Sequence, residues 1–375
     1  MTAAQGTWRI ALDQTLLEER LTGIGYYSQN LIQSLSRQDT ENLYFLFGRM
    51  AGWDVVKQAN FSFCLFESLT MINLFHFPGF YSNYLKYLAG DNGLYRSKSF
   101  PGCKIVVTVH DCIFELRPRD YNPSSLRRFK EMMQYTLTIA DRIIVPSQAT
   151  GQDLKKFFSY PAEKTTVIPL APADRFTAPL DRNRLPLVQK QYGLPDRYFL
   201  FVGSTFERKN LSGVFKALAY LKRRSLSLSL LLVGAHYSQS RLAELFHKAP
   251  DLSESEVILA GYVPETDLPY LYAGALALVY PSFYEGFGLP PLEAMSVGTP
   301  VITSITSALP EVVGEAALLV DPTQPDEIAE AMEAVVKDNQ LRRDLSKKGR
   351  KWVANFSWEK TGQRTLEVYR DLLKR

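Results

Sequence analysis

Short apolar runs alternate along this chain with longer stretches in which apolar residues recur at helical spacing. The short runs are nearly unbroken in apolar character, which is typical of strands in a parallel sheet covered on both faces. Strands that alternate with helix-length stretches indicate β–α–β units. The pattern therefore predicts an α/β protein built around largely parallel sheets.

The first half of the chain contains a series of predicted strands and helices. The predicted strands are Arg9–Leu12, Leu43–Phe47, Phe61–Phe66, Lys104–His110, Arg142–Pro146 and Thr165–Ile168, and the predicted helices are Gly25–Ser36, Ser124–Ile139 and Gln148–Phe158. The segment Ala171–Pro186 contains several prolines and little periodicity, so we predict a linker there. The segment Tyr81–Phe100 fits neither pattern and is predicted to be an exposed, mobile loop.

A second alternation follows, with a predicted helix at Leu211–Arg223. The predicted strands of this half are Tyr198–Val202, Leu228–Val233, Val257–Ala260, Ala275–Tyr280, Val301–Thr303 and Ala317–Val320. After Pro325 the pattern is helical to the end of the chain. Ser357 is predicted to be the N-cap of the last helix, because its hydroxyl can accept a free N–H group.

A chain of 375 residues is longer than most single hydrophobic cores allow, so two domains are expected. We predict a Rossmann-like domain over residues 1–180 and a second one over residues 181–355, facing each other across a deep cleft. The last segment, 356–375, is predicted to be a helix that packs back on the first domain.

Composition narrows the class of protein without indicating its chemistry. Hydrophobic residues make up 46% of the chain and charged residues 22%, and the net charge of +4 is too small to indicate nucleic-acid binding. The three cysteines show no C-x-x-C spacing, so neither a disulfide framework nor a zinc site is expected. No signal region and no membrane-length apolar run is visible, which favours a cytoplasmic protein.

The segment from Pro281 to Met295 carries the strongest chemical signal. Glu285 lies in a glycine-rich turn after a predicted strand, and Glu293 is predicted to lie in the first turn of a proline-started helix. Free N–H groups at a helix start attract anions, and carboxylates accept hydrogen bonds from sugar hydroxyls. We therefore expect both carboxylates to face one polar site. A loop carboxylate and a helix-capping carboxylate without function are the alternative.

A second signal follows the predicted strand Tyr198–Val202. Gly203 and Ser204 are small enough for backbone N–H groups to approach an anion at the start of a helix. Arg208 and Lys209 add two cations, which suits the binding of a diphosphate. A solvated helix start with two surface cations is the alternative.

Polar residues also follow apolar runs in the first half. His110 and Asp111 end a predicted inner strand, where α/β sheets place ligands, so His110 is expected to hydrogen-bond a substrate and Asp111 to accept. His76 ends another apolar run, and a structural role is preferred for it. Ser147 is expected to cap the helix that follows it.

Gly23 and Gly25 open the first long helix and would let a phosphate or an acceptor approach the backbone. This turn matches a dinucleotide fingerprint only loosely, because Ser28 stands where a third glycine would be. A simple flexible turn is an equal alternative. The signatures of serine hydrolases, zinc peptidases, Walker-type nucleotide sites and D-x-D metal sites are absent.

These residues together resemble a known family, glycosyltransferase family 4, the group 1 glycosyltransferases with the GT-B fold. The matching motifs are Phe201-Val202-Gly203, Arg208-Lys209-Asn210-Leu211, Gly261-Tyr262-Val263, Leu271-Tyr272, Glu285 through Glu293, Gly298-Thr299-Pro300-Val301-Ile302 and Pro310-Glu311-Val312. The first half matches more thinly, at Thr22-Gly23-Ile24-Gly25, His110-Asp111 and Ser147. Glu207 departs from the pattern, since the family often has proline there.

The resemblance implies a retaining, metal-independent enzyme without cofactors that moves a hexose from a nucleotide diphosphate sugar to an acceptor hydroxyl. A UDP-sugar such as UDP-glucose is the first expectation for the donor, and GDP-mannose is the second. The acceptor is expected to be a saccharide or a lipid-linked saccharide in polysaccharide or glycolipid biosynthesis.

The resemblance also implies roles for individual residues. Glu293 would bind the donor ribose, Glu285 the sugar hydroxyls, and His110 the transferred sugar near the reaction centre. Arg208 and Lys209 would hold the diphosphate. The remaining implied contacts are those of Tyr262 and Val263 with the nucleobase, and of the backbone at Gly286, Phe287, Gly288 and Leu289 with the sugar and phosphate.

Other functions remain open at this point. An inactive donor-binding subunit of a polysaccharide assembly complex and a sugar-nucleotide epimerase are alternatives, and a dinucleotide oxidoreductase is the weakest one. Peripheral contact with the inner face of a membrane is a further alternative, but a solvated face is preferred for the residues concerned. These residues are Tyr84, Lys86, Tyr87, Arg127, Arg128 and Lys130.

Overall fold

The structure, a computed structural model, describes residues 7–14, 23–48, 58–64, 69, 71–80, 102–181, 183–234 and 237–374. The chain divides into two units, Met1–Leu170 with Ser357–Arg375, and Ala171–Phe356. The predicted loop Tyr81–Phe100 lies outside the described residues, as do Tyr84, Lys86 and Tyr87.

Each unit is built around a parallel sheet. The strands are β1 Arg9–Asp13, β2 Leu43–Phe47, β3 Phe61–Cys64, β4 Leu74–Phe77, β5 Lys104–Thr108, β6 Arg142–Val145, β7 Thr165–Val167, β8 Tyr198–Val202, β9 Ser229–Val233, β10 Val257–Gly261, β11 Leu278–Tyr280, β12 Val301–Ser304 and β13 Leu318–Val320. Their order is β3-β2-β1-β4-β5-β6-β7 in the first unit and β10-β9-β8-β11-β12-β13 in the second. These two sheets confirm the α/β prediction.

Helices connect the strands in both units. They are α1 Gly23–Gln38, α2 Ile113–Leu116, α3 Pro123–Ile139, α4 Gln148–Phe158, α5 Asp174–Thr177, α6 Arg184–Gln191, α7 Leu211–Arg223, α8 Gln239–His247, α9 Leu268–Ala273, α10 Leu289–Val297, α11 Leu309–Val313, α12 Pro325–Lys337, α13 Asn339–Val353 and α14 Trp358–Leu373. Short 3-10 helices lie at Pro118–Asp120, Ala162–Lys164, Glu207–Lys209 and Glu254–Glu256. Among the helices that the structure describes, none has an apolar stretch of membrane-spanning length.

The strand order places a switch point in each sheet. Successive strands are added toward one side of the sheet up to the switch point and toward the other side after it. The switch point lies between β1 and β4 in the first unit and between β8 and β11 in the second. Loops leave a switch point in opposite directions, which opens a crevice at the carboxyl ends of the strands. The polar segments after β8 and β11 therefore start at the place where such sheets bind ligands.

The segment Ala171–Pro186 is not a simple linker, and that prediction is wrong. It contains α5 and the start of α6. Phe176 in α5 is only 1% exposed, and its ring meets Tyr272 edge-on at 5.7 Å. Burial of an aromatic ring thus orders a proline-rich stretch that has little periodicity of its own, and this contact places α5 in the second unit.

The last helix, α14, belongs to the first unit. Ser357 caps it by accepting the N–H of Lys360, which confirms the predicted N-cap. Ser34 Oγ in α1 donates to the carbonyl O of Trp358 at 2.6 Å.

On α3, Arg127 is exposed and forms an ion pair with Glu131 at 2.7 Å, which is the solvated helix face that the sequence analysis preferred for Arg127.

Three glycines let the ends of neighbouring strands in the second unit approach closely. Gly203 follows β8, Gly234 follows β9, and the Gly234 N–H donates to the carbonyl O of Gly261 at 3.1 Å. A Cβ atom at Gly234 would lie 2.1 Å from the carbonyl O of Gly203, far inside van der Waals contact. Glycine at this position therefore sets the path of the loop after β8.

Gly234→Ala should lower the free energy of unfolding by at least about 2 kcal/mol, because backbone would have to move to admit the methyl group. Gly193→Ala is the matched control, since Gly193 also has a positive φ (62°) but no atom near its Cβ position. The control should lose only about 1 kcal/mol in urea unfolding. Equal losses in the two variants would contradict the close approach of the loops.

Candidate active site

The loop after β11 is held by the turn that follows β12. Thr306 Oγ1 donates to the carbonyl O of Phe283 at 3.0 Å, and the N–H of Glu285 donates to Ser307 Oγ at 3.0 Å. Adjacent strands of a parallel sheet thus supply both the loop and its support. The backbone that carries Glu285 is fixed by these bonds.

The loop after β8 carries the two predicted cations. Arg208 and Lys209 lie in the 3-10 helix Glu207–Lys209, immediately before Asn210. Asn210 adopts a left-handed conformation (φ 56°), which asparagine tolerates better than most residues, and its Oδ1 accepts the N–H of Gly213 at 3.1 Å. Asn210 therefore caps α7 and turns the chain, so that the cations precede the helix start rather than form part of it.

Asn210 also ties the loops together. Its Nδ2 group donates to the carbonyl O atoms of Pro281 at 3.1 Å and Pro322 at 2.6 Å. The N–H of Phe283 donates to the carbonyl O of Arg208 at 2.7 Å. The loops after β8 and β11 consequently hold each other in place.

The side chains of these two loops form a buried cluster of charges. Glu285 pairs with Arg208 through Oε2 at 3.0 Å and with Lys209 through Oε1 at 2.7 Å. Lys209 Nζ also donates to the hydroxyl of Tyr280 at 2.5 Å and lies 4.8 Å from the centre of its ring. The Lys209 and Glu285 side chains are only 11% and 10% exposed.

The two cations set the ionisation of Glu285. Burial alone would raise the pKa of this carboxyl, but the charges of Lys209 and Arg208 outweigh it and lower the pKa to about 2. Glu285 is therefore an anion at neutral pH. Arg208 and Lys209 thus place two cations beside this carboxylate, an arrangement that can bind an anionic ligand.

Glu293 has a different partner and lies deeper in its helix than predicted. Gly288 is the N-cap of α10, so Leu289 is the first helical residue and Glu293 falls in the second turn. The prediction that Glu293 lies in the first turn is therefore wrong. Glu293 Oε2 accepts the hydroxyl of Tyr272 at 2.7 Å. Burial raises the pKa of Glu293.

The other predicted donor-binding residues of this unit lie at carboxyl ends of strands. Gly203 and Ser204 follow β8, and the carbonyl O of Gly203 accepts the hydroxyl of Tyr237 at 2.7 Å. Tyr262 and Val263 follow β10, with Tyr262 67% exposed and Val263 buried. Along the loop after β11 lie Gly286, Phe287 and Gly288, which are buried, and Leu289, which is half-buried.

In the first unit, His110 follows β5. Its Nε2 lies 2.8 Å from the carbonyl O of Pro78, and Tyr27 meets the ring edge-on at 4.8 Å. Burial lowers the pKa of His110 to about 4, so the ring is neutral at pH 7. Since a carbonyl can only accept, we assign the single ring proton to Nε2, which leaves Nδ1 as the acceptor of the ring.

Behind His110 lies a buried chain of hydrogen bonds that sequence reasoning missed. His76 Nδ1 bonds the hydroxyl of Tyr369 at 2.6 Å, and His76 Nε2 bonds Thr108 Oγ1 at 2.9 Å. Thr108 Oγ1 in turn bonds the hydroxyl of Tyr27 at 2.8 Å. The chain links α14, β4, β5 and α1, which supports the structural role preferred for His76.

The remaining first-unit candidates make local contacts. Gly23 is the first residue of α1, and a Cβ there would meet no described atom within 4 Å; Gly25 is buried. Asp111 Oδ1 accepts the N–H of Ile113 at 3.1 Å. Ser147 caps α4 through the N–H of Thr150 at 3.1 Å, as predicted.

Asn210→Ala should lower the free energy of unfolding by about 2 kcal/mol, because it removes a helix cap and two buried hydrogen bonds to carbonyl groups. Asn183→Ala provides a matched control, since Asn183 is the exposed N-cap of α6 and makes no capping hydrogen bond through its side chain. Urea unfolding should show a loss below about 0.5 kcal/mol for the control. A similar loss in both variants would mean that Asn210 does not join the loops.

Acid should remove the contribution of Glu285 to stability. A carboxyl whose pKa is lowered by folding stabilises the protein fully above its ordinary pKa of 4.5 and loses that contribution as the pH falls through about 2. Urea unfolding of wild type and Glu285→Gln should therefore differ most at about pH 6 and converge toward pH 2. A difference that is independent of pH would contradict the ion pairs.

Comparison with known proteins shows relatives among bacterial mannosyltransferases. The O-antigen chain mannosyltransferase B of Escherichia coli is 33% identical over 269 residues, which are 71% of this chain and 70% of that protein. The serotype-specific mannosyltransferase WbdA of Escherichia coli is 28% identical over 72% of this chain, which spans 34% of WbdA.

Solved glycosyltransferase structures share the fold. Sucrose-phosphate synthase from Thermosynechococcus elongatus matches with a TM-score of 0.75 at 22% identity, over 98% of this chain and 100% of that one. Anabaena HepE in complex with UDP-glucose matches with a TM-score of 0.72 at 17% identity, over 97% of this chain and 99% of that one.

Two family models match the chain in succession. Residues 64–171 match the model described as Glycosyltransferase Family 4, and residues 188–352 match the model described as Glycosyl transferases group 1. Together with the 33% identical relative, these matches show that the chain belongs to glycosyltransferase family 4, as a group 1 glycosyltransferase with the GT-B fold.

Proposed function

We propose that this glycosyltransferase moves a hexose from a nucleotide diphosphate sugar to a saccharide hydroxyl in polysaccharide biosynthesis, with retention at the anomeric carbon and without a metal ion. The buried cluster of Arg208, Lys209 and Glu285 is the observation that carries the proposal. It fixes two cations at the carboxyl ends of β8 and β11, where an anionic leaving group can be bound.

In this mechanism the bond between the sugar and the diphosphate breaks first, which leaves an oxocarbenium-like sugar. Arg208 and Lys209 bind the departing diphosphate and stabilise its growing negative charge. Both side chains are held before the substrate arrives, so little reorganisation is needed during the reaction. The acceptor hydroxyl attacks the face that the diphosphate leaves, and a departing phosphate oxygen takes the hydroxyl proton.

The donor sugar is proposed from the relatives. The name of the 33% identical Escherichia coli protein supports mannose, so GDP-mannose becomes the first donor to test. UDP-glucose, the first expectation from sequence, remains the second, and the HepE complex with UDP-glucose supports a UDP-sugar in this fold. A saccharide or lipid-linked saccharide is the proposed acceptor.

Arg208→Ala and Lys209→Ala should each lower kcat/KM for sugar transfer by about 100-fold or more, because each removes a fixed charge from the leaving group. Lys216→Ala is the control, since Lys216 is an exposed lysine of α7 without a partner among the described residues. The assay measures transfer from GDP-mannose and from UDP-glucose, with EDTA and with Mg²⁺.

Three results would contradict the proposal. Wild-type rates in both Arg208→Ala and Lys209→Ala would show that these cations do not stabilise the leaving diphosphate. Activity that EDTA abolishes and Mg²⁺ restores would remove the metal-free mechanism. A product whose anomeric proton shows inversion in NMR spectra would remove the retaining mechanism.

A further inference from the structure

A basic cavity lies at the opposite edge of the second sheet from the charge cluster. It has a volume of about 520 Å³ and opens between α13 and the segments that precede β11 and β12. Its walls include the backbone at Gly298 and the side chains of Arg342, Arg343, Lys347 and Arg350 on α13. Because the strands are parallel, this amino-terminal edge is separate from the site after β8 and β11.

Two of the arginines are held by the ends of other helices. Arg350 donates to the carbonyl O of Val297, at the end of α10, at 2.5 Å. Arg342 donates to the carbonyl O atoms of Val335 and Val336, near the end of α12, and to Asn339 Oδ1. A guanidinium has five N–H donors, so these bonds orient the groups and leave further donors available.

Gly298 makes room for this arrangement. A Cβ atom at Gly298 would lie 2.3 Å from Nη2 of Arg350, so the guanidinium rests directly on the glycine backbone. A guanidinium that is packed in this way is preorganised, since it loses little side-chain freedom when it binds a ligand.

The positive charge of the cavity is not neutralised within the described residues. No carboxylate of the described chain forms a salt bridge with Arg342, Arg343, Lys347 or Arg350. Asp344, on the same helix, accepts Gln340 Nε2 at 2.9 Å and does not line the cavity. Four uncompensated cations around one concave space attract an anion strongly.

We propose that this cavity is a second binding site, which takes a phosphate-bearing ligand. Fixed guanidinium groups match phosphate oxygens in geometry, and a lysine adds a point charge. The lining contains no aromatic side chain on which a base or a sugar ring could stack, so the phosphate itself is the recognised group. The volume suits a small phosphate ester or a phospholipid headgroup.

The test compares two double variants of α13 that change the net charge equally. Arg343→Ala/Lys347→Ala removes two exposed cations that line the cavity, and Lys348→Ala/Lys351→Ala removes two exposed cations of the same helix that do not. Calorimetric titration of the full chain with inorganic pyrophosphate is the measurement. Wild type and both double variants retain Arg208 and Lys209, so pyrophosphate that binds there contributes equally to all three titrations.

The cavity variant should lose one bound equivalent of pyrophosphate or bind it at least about tenfold more weakly, whereas the control variant should match wild type. Equal binding by the two variants, whether both retain it or both lose it, would overturn the proposal. This result is independent of the proposed sugar transfer, which the Arg208 and Lys209 variants test.

Sedimentation with vesicles identifies the source of the phosphate. Vesicles of phosphatidylcholine are compared with vesicles that also contain phosphatidylglycerol. If the cavity variant alone loses binding to the anionic vesicles, the ligand is a lipid headgroup. If both variants bind vesicles alike while the cavity variant alone loses pyrophosphate, the ligand is a soluble phosphate compound.

Discussion

The pairing of two buried cations with a single carboxylate is the interaction on which the second unit's site depends. Arg208 and Lys209 share Glu285, at 3.0 Å and 2.7 Å, and the Lys209 and Glu285 side chains are nearly buried. Burial makes such an arrangement costly unless every charge has a partner. The carboxylate keeps both cations in place at the carboxyl ends of β8 and β11, where parallel sheets bind ligands.

The fold supplies the rigidity that this cluster needs. The loops after β8 and β11 arise at the switch point of the sheet and are joined by Asn210 and by backbone hydrogen bonds. Glycine at position 234 allows the strand ends to approach closely enough for the loop after β8 to take its path. In the first unit, a buried chain of hydroxyl groups and one histidine places Tyr27 against His110.

Much of this organisation could be predicted from the sequence, because apolar runs report directly on buried strands. Helices Gln148–Phe158 and Leu211–Arg223 have the predicted bounds, as do strands Leu43–Phe47 and Tyr198–Val202. Strand β4 was not predicted, because its run of four residues is short and contains His76. The packing of Phe176 was also invisible, since a tertiary contact rather than local periodicity orders it.

The charged residues of the site could be found from sequence, but their supports could not. Arg208, Lys209 and Glu285 lie in loops that follow apolar strands. Polar residues in such loops are candidate ligand-binding residues, because parallel sheets bind ligands at the carboxyl ends of their strands. Tyr280 and Tyr272 lie within apolar stretches and read as core residues, although their hydroxyls bond Lys209 and Glu293. Only the folded chain shows which core hydroxyl faces which charge.

Recognition of a diphosphate by protein cations alone is the central claim, and calorimetry measures it directly. Guanosine and uridine should be compared with their diphosphates, in buffer that contains EDTA. The matching diphosphate should bind at least about 100-fold more tightly than its nucleoside, and added salt should weaken the binding of the diphosphate only. Equal affinities of nucleoside and diphosphate, or tight binding that appears only with Mg²⁺, would contradict it.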